Sequence, residues 1–268
     1  MSEFMSQSQS QGSPQAANVV LQTKQLCKKF GGLTATDHVD FTLLEGARHA
    51  LIGPNGAGKT TFVNQLSGVL LPTSGTVTMN GVDVTGWSVR QRARAGLGRT
   101  FQINQLFMDF TPLETIVLAI TEREGTGWGV FRPVGSRSEY VDEAVELLKQ
   151  LNLSDVIHAR VGSLPYGKQR LLEIATAVAC KPKVLLLDEP AAGVPEGERD
   201  QILDVVAALP ASVALVLIEH DMDLVFRFAK RISVLVNGAL FTEGTPEEIA
   251  RDPRVKQVYL GEDEITHV

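Results

Sequence analysis

The 268-residue sequence has little cysteine, tryptophan or tyrosine: two, two and three residues. Cys27 and Cys180 cannot build a disulfide framework, and no second pair exists for a zinc site. Both are expected to be buried, reduced thiols. A long apolar run is also lacking. The longest uncharged one, residues 205–218, spans 14 positions and is broken by Pro210, against the ~20 that a membrane-spanning helix needs. Positive charge is not in excess, with 25 Lys+Arg against 31 Asp+Glu and a net charge of −6. Chains that coat nucleic acid are usually basic, so no nucleic-acid partner is expected. Residues 1–18 are rich in Ser and Gln without an apolar core, which predicts a disordered tail rather than a signal peptide.

What is present is 44% hydrophobic and 21% charged, the balance of a globular chain able to bury a sizeable core. Residues 19–26 and 39–44 alternate as strands do, and residues 48–52 lead into a glycine cluster. Residues 184–187, 213–218 and 232–236 are short, nearly continuous apolar runs, suited to parallel strands covered on both faces. Asn237-Gly238 reads as a two-residue hairpin turn into residues 239–242. Between these runs lie helical patterns, such as Val141, Ala144, Val145, Leu148 and Leu151 on one face. Thr245-Pro246-Glu247-Glu248 supplies an N-cap, a first-turn proline and a capping Glu for a C-terminal helix. The fold class is therefore α/β. Residues 103–180 hold helical patterns and a glycine-rich loop but no clear strand, and are expected to be a helical insertion in one domain of residues 19–262, followed by a short tail at 263–268.

Gly53-Pro54-Asn55-Gly56-Ala57-Gly58-Lys59-Thr60 follows a strand and precedes a helical stretch at residues 61–66. Glycines let backbone N–H groups surround phosphate oxygens, the helix start adds positive potential, a lysine neutralises the outer phosphates, and a hydroxyl can ligate Mg²⁺. At average composition the fixed positions match by chance in roughly a few of 100,000 windows, or ~0.01 hits over a chain of this length. Nucleoside triphosphate binding follows. No Asn-Lys-x-Asp motif occurs, so a guanine-reading switch is disfavoured. The apolar run ending in Asp188-Glu189-Pro190 puts two carboxylates at a strand's carboxyl end, where open α/β sheets gather ligands. Asp188 would face the metal held by Thr60, and Glu189 would accept a proton from an attacking water.

Four further elements are ordinary when taken singly. Leu164-Pro165-Tyr166-Gly167-Lys168 opens a helix 24 residues before Asp188, His220 ends a strand 31 residues after Glu189, Gln102 precedes the helical insertion, and Phe30 lies 23 residues before Gly53. Four arginines, Arg90, Arg92, Arg94 and Arg99, form a local run whose ordinary explanation is a solvated helix face. In this order and spacing the motifs resemble the ATPase subunits of ABC transporters over residues 19–262. Arg99-Thr100-Phe101-Gln102, Ile218-Glu219-His220-Asp221-Met222, residues 188–193 and the tail 244–261 look like the ATPases of high-affinity branched-chain amino acid importers.

The resemblance implies a P-loop NTPase fold with a mostly parallel sheet core, an antiparallel β subdomain and an inserted helical subdomain. It implies ATP and Mg²⁺, with Phe30 stacking on adenine and Gly53, Pro54, Asn55, Gly56, Ala57, Gly58, Lys59, Thr60 and Thr61 holding the phosphates. Thr60, Gln102 and Asp188 would serve the metal, while Glu189, His220, Lys59 and Gln102 would serve hydrolysis. Leu164, Pro165, Tyr166, Gly167 and Lys168 would contact the ATP of a partner subunit, and Val194-Pro195-Glu196 would pack against that subunit. The partner would be a related second ATPase arranged head to tail. Two separate permeases and, indirectly, an extracytoplasmic solute-binding protein would complete the assembly at the cytoplasmic face of the cell membrane, with residues 103–110 touching a permease helix. The family's signature normally reads Leu-Ser-Gly-Gly-Gln. Here Pro165 removes the serine hydroxyl, Ser163 could cap the helix instead, and Lys168 adds a charge. A hydrogen bond lost to a charged phosphate is worth roughly 1.5–3 kcal/mol, so the composite site built on this signature is expected to be the weaker one. An ATPase for another solute, such as other amino acids, urea or exported lipid, is the alternative. A soluble relative acting on DNA or ribosomes would need coiled-coil arms or tandem modules, and the sequence has neither.

Overall fold

A computed structural model describes residues 18–100, 106–125 and 138–263. The chain opens with β1 (Val19–Phe30), β2 (Leu33–Leu44) and β3 (Arg48–Ile52), then α1 (Lys59–Ser67), β4 (Ser74–Met79), β5 (Val82–Asp83), α2 (Val89–Arg94) and β6 (Leu97–Arg99). Helices α3 (Pro112–Arg123), α4 (Ser138–Gln150) and α5 (Tyr166–Ala179) follow, so the described residues between β6 and β7 form helices and turns without a strand. Then come β7 (Val184–Asp188), α6 (Glu196–Ala207), β8 (Ala214–Ile218), α7 (Met222–Phe228), β9 (Arg231–Val236), β10 (Ala239–Gly244), α8 (Pro246–Arg251) and α9 (Pro253–Asp263).

Two sheets result. Strands β2-β1-β4-β5 form an antiparallel sheet, and β10-β9-β3-β8-β7-β6 form a second one that is parallel except for β10. The continuous apolar runs are the central parallel strands, and every residue of β7 and β8 is buried. Their side chains alternate between two cores. Leu185, Leu187, Leu215 and Leu217 pack with α3, α4, α5 and α6, whereas Val184, Leu186, Val216 and Ile218 pack with Phe62 and Leu66 of α1 and with Leu21 and Val77 of the antiparallel sheet. Deleting one such leucine side chain would cost about 2–5 kcal/mol. The P-loop helix and the helical segment are thus clamped to opposite faces of the same two strands.

Register fixes what meets at the sheet's carboxyl edge. Leu51 of β3 is level with Ile218 of β8, which is level with Asp188 of β7. With neighbouring strands ~4.8 Å apart, the backbones of Leu51 and Asp188 stand about 10 Å from each other. The loops after β3, β7 and β8 therefore leave from one edge. The Asn237-Gly238 turn has positive φ at both residues, 49° and 81°, as a type I′ hairpin requires.

Three expectations are corrected. Cys27 is buried, but Cys180, just past the end of α5, is exposed. The arginine run is not one solvated face. Arg90 and Arg94 pair with Glu122 at the surface, but Arg92 is 0% exposed and donates to the carbonyls of Gln65, Leu66 and Thr85, and Arg99 is buried as well. Burial pulls the Arg92 guanidinium down to about 10. The carbonyls it meets at the end of α1, where the helix dipole is negative, offset part of that burial cost. Ser163 does not cap α5: its hydroxyl donates to the Arg160 carbonyl, and Pro165 occupies the N-cap.

Candidate functional site

The loop from Gly53 to Gly58 is shaped by close backbone approaches. Gly53 has φ +154° and Gly58 φ +96°. A Cβ on Gly53 would lie 2.2 Å from the Leu235 carbonyl oxygen, and one on Gly58 would lie 2.3 Å from that of Ala35. Neither position can carry a side chain, so the loop threads between β9 and β2. The hairpin turn braces it, since Gly238 donates its N–H to Ala57 O (2.9 Å) and accepts from Asp37 N–H (2.8 Å). Helix α1 then starts from Gly58 with no side-chain cap. The Lys59 ammonium lies along the loop, donating to the carbonyls of Gly53 and Pro54.

A cleft of about 580 Å³ opens over this loop, lined by Phe30, Leu33, Thr34, Ala35, Asn55, Gly56, Ala57, Gly58, Lys59, Thr60, Thr61, Glu189, Asn237 and Gly238. Sites for small ligands and cofactors fall in this size range. Phe30, half exposed at the end of β1, carries Lys28 Nζ 5.2 Å from its ring centroid. Phe30, Thr60, Thr61 and Glu189 were anticipated from sequence and share this wall. Gly53 and Pro54 form the loop's base behind it. Residues 33–35 and the Asn237-Gly238 turn were not anticipated as lining, because the hairpin signal says nothing about which loop the turn packs on.

Asp188 is buried at 6% exposure, and its Oδ2 lies 3.0 Å from Arg99 Nη2. The next residue, Glu189, has φ +46°, a conformation that an L side chain adopts at a cost of about 1–2 kcal/mol. Its backbone is tied on both sides, by Glu189 N–H to Ile218 O (2.9 Å) and Ala192 N–H to Glu189 O (3.0 Å). His220 follows β8, and its Nδ1 is 3.5 Å from Glu189 Oε1. Sequence reasoning missed Glu219. Its carboxylate is 2% exposed, accepts the His220 backbone N–H at 3.2 Å and lies 3.8 Å from His220 Nδ1. Burial, with the Glu189 charge adding to it, pushes the Glu219 carboxyl up from its ordinary value. A charged residue directly after a fully apolar strand was the available signal.

Gln102 and Phe101 lie outside the described residues, as do residues 103–105 of the segment expected to meet a permease. The signature residues do not line the cleft. Leu164 is buried, Tyr166 is partly exposed, and Lys168 donates to Asn152 O (2.6 Å) and Asp155 (2.9 Å) of its own chain. Gly167 faces α6 so closely that a Cβ there would lie 2.1 Å from Glu198 Oε2. The Tyr166 ring lies against Gly193, which joins the start of α5 to the loop before α6. No helix among the described residues is long and apolar enough to cross a membrane.

A glycine-built loop at a helix start, a lysine along it, a hydroxyl and a buried carboxylate at one sheet edge fit a triphosphate with a divalent cation: N–H donors and cations for phosphate, oxygens for the metal. Comparison with known proteins agrees. Residues 36–192 match the family described as ABC transporter. This chain belongs to the ABC transporter ATP-binding family. It is an ATPase of the kind that couples ATP hydrolysis to transport. Residues 240–265 match the family described as branched-chain amino acid ATP-binding cassette transporter. The high-affinity branched-chain amino acid transport ATP-binding protein BraF of Pseudomonas aeruginosa is 39% identical over 91% of this chain and 98% of its own. LivG of Escherichia coli K12, described in the same words, is 38% identical over the same shares. Among solved structures, the ADP conformation of MJ1267, an ATP-binding cassette of an ABC transporter, has a TM-score of 0.80 at 30% identity, over 91% of this chain and 99% of that one. The P-loop NTPase fold, with its mostly parallel sheet, antiparallel sheet and helical segment, is as the resemblance implied.

Proposed function

We propose that this ABC ATPase powers uptake of branched-chain amino acids through separate membrane permeases. One observation carries the nucleotide part: Phe30, the phosphate loop and Glu189 line a single cleft. The solute class is supported by the relatives' descriptions and by the match at residues 240–265. In this reading residues 19–262 act as one ATPase domain, with 103–180 inserted. Phe30 stacks on adenine and Gly53 through Thr61 hold the phosphates, Lys59 neutralising the outer ones. Thr60, Asp188 and Gln102 serve Mg²⁺, which when bound offsets charge on the transferred phosphoryl group. Glu189 takes the proton of the attacking water, and His220 donates to the terminal phosphate.

The second ATPase is a related chain, arranged head to tail so that Leu164, Pro165, Tyr166, Gly167 and Lys168 meet its nucleotide. The commitment of Lys168 to Asn152 and Asp155 leaves that contact to backbone N–H groups and Tyr166. Permease docking is supported by the apolar cluster after residue 105: Phe107 is 56% exposed, and its ring lies 5.1 Å from that of Phe110. The assembly sits at the cytoplasmic face of the cell membrane, with a solute-binding protein on the far side. Glu189→Gln is the direct test. ATP binding by calorimetry should persist while hydrolysis falls about 100-fold or more. Turnover that survived largely intact would remove Glu189 as the base. Purification of the chain with its membrane partners, followed by leucine, isoleucine and valine binding, tests the solute class.

A further inference from the structure

The buried ion pair behind the cleft has a geometry that exceeds what folding alone asks of it. The Arg99 guanidinium, at the end of β6, donates Nη2 to Asp188 Oδ2 at 3.0 Å, and Nη1 to Asn64 Oδ1 at 2.7 Å and Ser67 Oγ at 2.9 Å. Both members of the pair have side chains only 8% exposed. One planar fork thus ties the carboxylate at the end of β7 to the last turns of α1, the helix that begins in the phosphate loop. The Asp188 backbone is fixed independently: its N–H donates to Thr100 Oγ1 at 3.3 Å, and Thr100 N–H donates to Leu186 O at 3.0 Å.

We infer that Arg99 is a positioning residue for the metal: it takes one oxygen of Asp188 and ties that carboxylate to α1, so that the other oxygen would serve a divalent cation held together with Thr60. This rests on the assignment of Asp188 and Thr60 to the metal made above. A carboxylate held only by its backbone would be free to rotate about its side-chain bonds. The bidentate-capable guanidinium suits the task better than an ammonium would, because it can brace Asn64, Ser67 and Asp188 in one plane. The groups that orient a metal-binding residue typically change metal affinity about 10- to 100-fold when removed.

The experiment measures binding of the non-hydrolysable analogue AMP-PNP to the full chain, with Mg²⁺ and with EDTA, for the wild type, Arg99→Met, Arg99→Lys and Asn64→Ala, with melting temperature recorded for each. The ratio of the two affinities is the metal's contribution. Arg99→Met should lower that ratio about tenfold and leave the EDTA affinity unchanged, since the phosphate loop is intact. Arg99→Lys should recover part of it. Asn64→Ala, which keeps the ion pair but loses one brace, should lower it about threefold by the same mechanism, and serves if Arg99→Met does not fold. A lowered melting temperature with an unchanged ratio in Arg99→Met and Asn64→Ala would reduce Arg99 to a structural pin and overturn the proposal. A wild type indifferent to Mg²⁺ would remove the metal assignment of Asp188, and the proposal with it.

Discussion

Helices in this protein begin in two ways. Helices α2, α3 and α8 each start with a reciprocal capping box, Ser88 with Gln91, Thr111 with Glu114 and Thr245 with Glu248, and α7 is capped by Asp221. Helices α1, α5 and α6 start from Gly58, Pro165 and Pro195, with no side-chain cap. An N-cap is worth about 1 kcal/mol, so three omissions are a substantial loss beside these four capped starts. A capping side chain occupies the space in front of the first-turn N–H groups, where an anion would sit. The capped starts of α2, α3 and α8 contribute nothing to the cleft lining. The uncapped ones open toward the cleft or toward the surface assigned to the partner ATPase.

The start of α5 can be altered to break this contrast. Pro165→Ser restores the hydroxyl that the family signature normally has and offers a cap to the first turn. ATPase activity of the assembled transporter should rise about tenfold, the worth of one hydrogen bond to a charged phosphate. A steady-state assay on the reconstituted complex reads it. No change, or a fall, would mean that Tyr166 and the backbone N–H groups already suffice.

Helix α7 is the exception that sharpens the comparison, because it leaves the same sheet edge fully capped. There a side chain, His220, faces Glu189, and the buried Glu219 sits behind it. The Glu219 carboxyl is held above its ordinary value by burial first. Below the carboxylate range of the unfolded chain, both states bind the proton and Glu219 costs no stability. As pH rises toward the folded value, the unfolded chain ionises first and native stability falls. Glu219→Gln should therefore melt at a higher temperature than the wild type near pH 8 and match it near about pH 4. Hydrolysis should drop by less than about tenfold, since Glu219 stands behind His220 and lines none of the cleft. Equal melting curves at both pH values would show that Glu219 is not strained by its burial.

The parts of the site that were legible in sequence are those made by consecutive residues. The phosphate loop, the Asp188-Glu189 strand end and the Thr245 cap each depend on local chemistry, and each lies where its motif predicts. What was illegible depends on partners far along the chain. Arg92 and Arg99 sit in a run that looks solvent-facing, yet their partners are at Gln65, Leu66, Asn64 and Asp188. Cys180 resembles Cys27 in sequence terms but emerges at a helix end. Ser163 had the right spacing for a cap, and a 3₁₀ turn at Val161–Ser163 directed its hydroxyl backward to Arg160 instead. Periodicity reports which face is apolar; it does not report which other segment covers a charged one.

The smallest effect is the control on the whole contrast. At the start of α8, Thr245 Oγ1 accepts the Glu248 N–H at 3.3 Å, and Glu248 Oε2 accepts the Thr245 N–H at 2.8 Å. Thr245→Ala removes one half of this box and leaves the other half without its return bond. The chain should lose about 1 kcal/mol, a fall of roughly 2–4 °C in melting temperature. Nucleotide affinity should stay within error of the wild type, since α8 follows β10, on the outer side of the parallel sheet from Asp188. If Thr245→Ala weakened AMP-PNP binding, capped and uncapped helix starts would not divide by role. The withheld caps at Gly58, Pro165 and Pro195 would then reflect only the local demands of glycine and proline backbone.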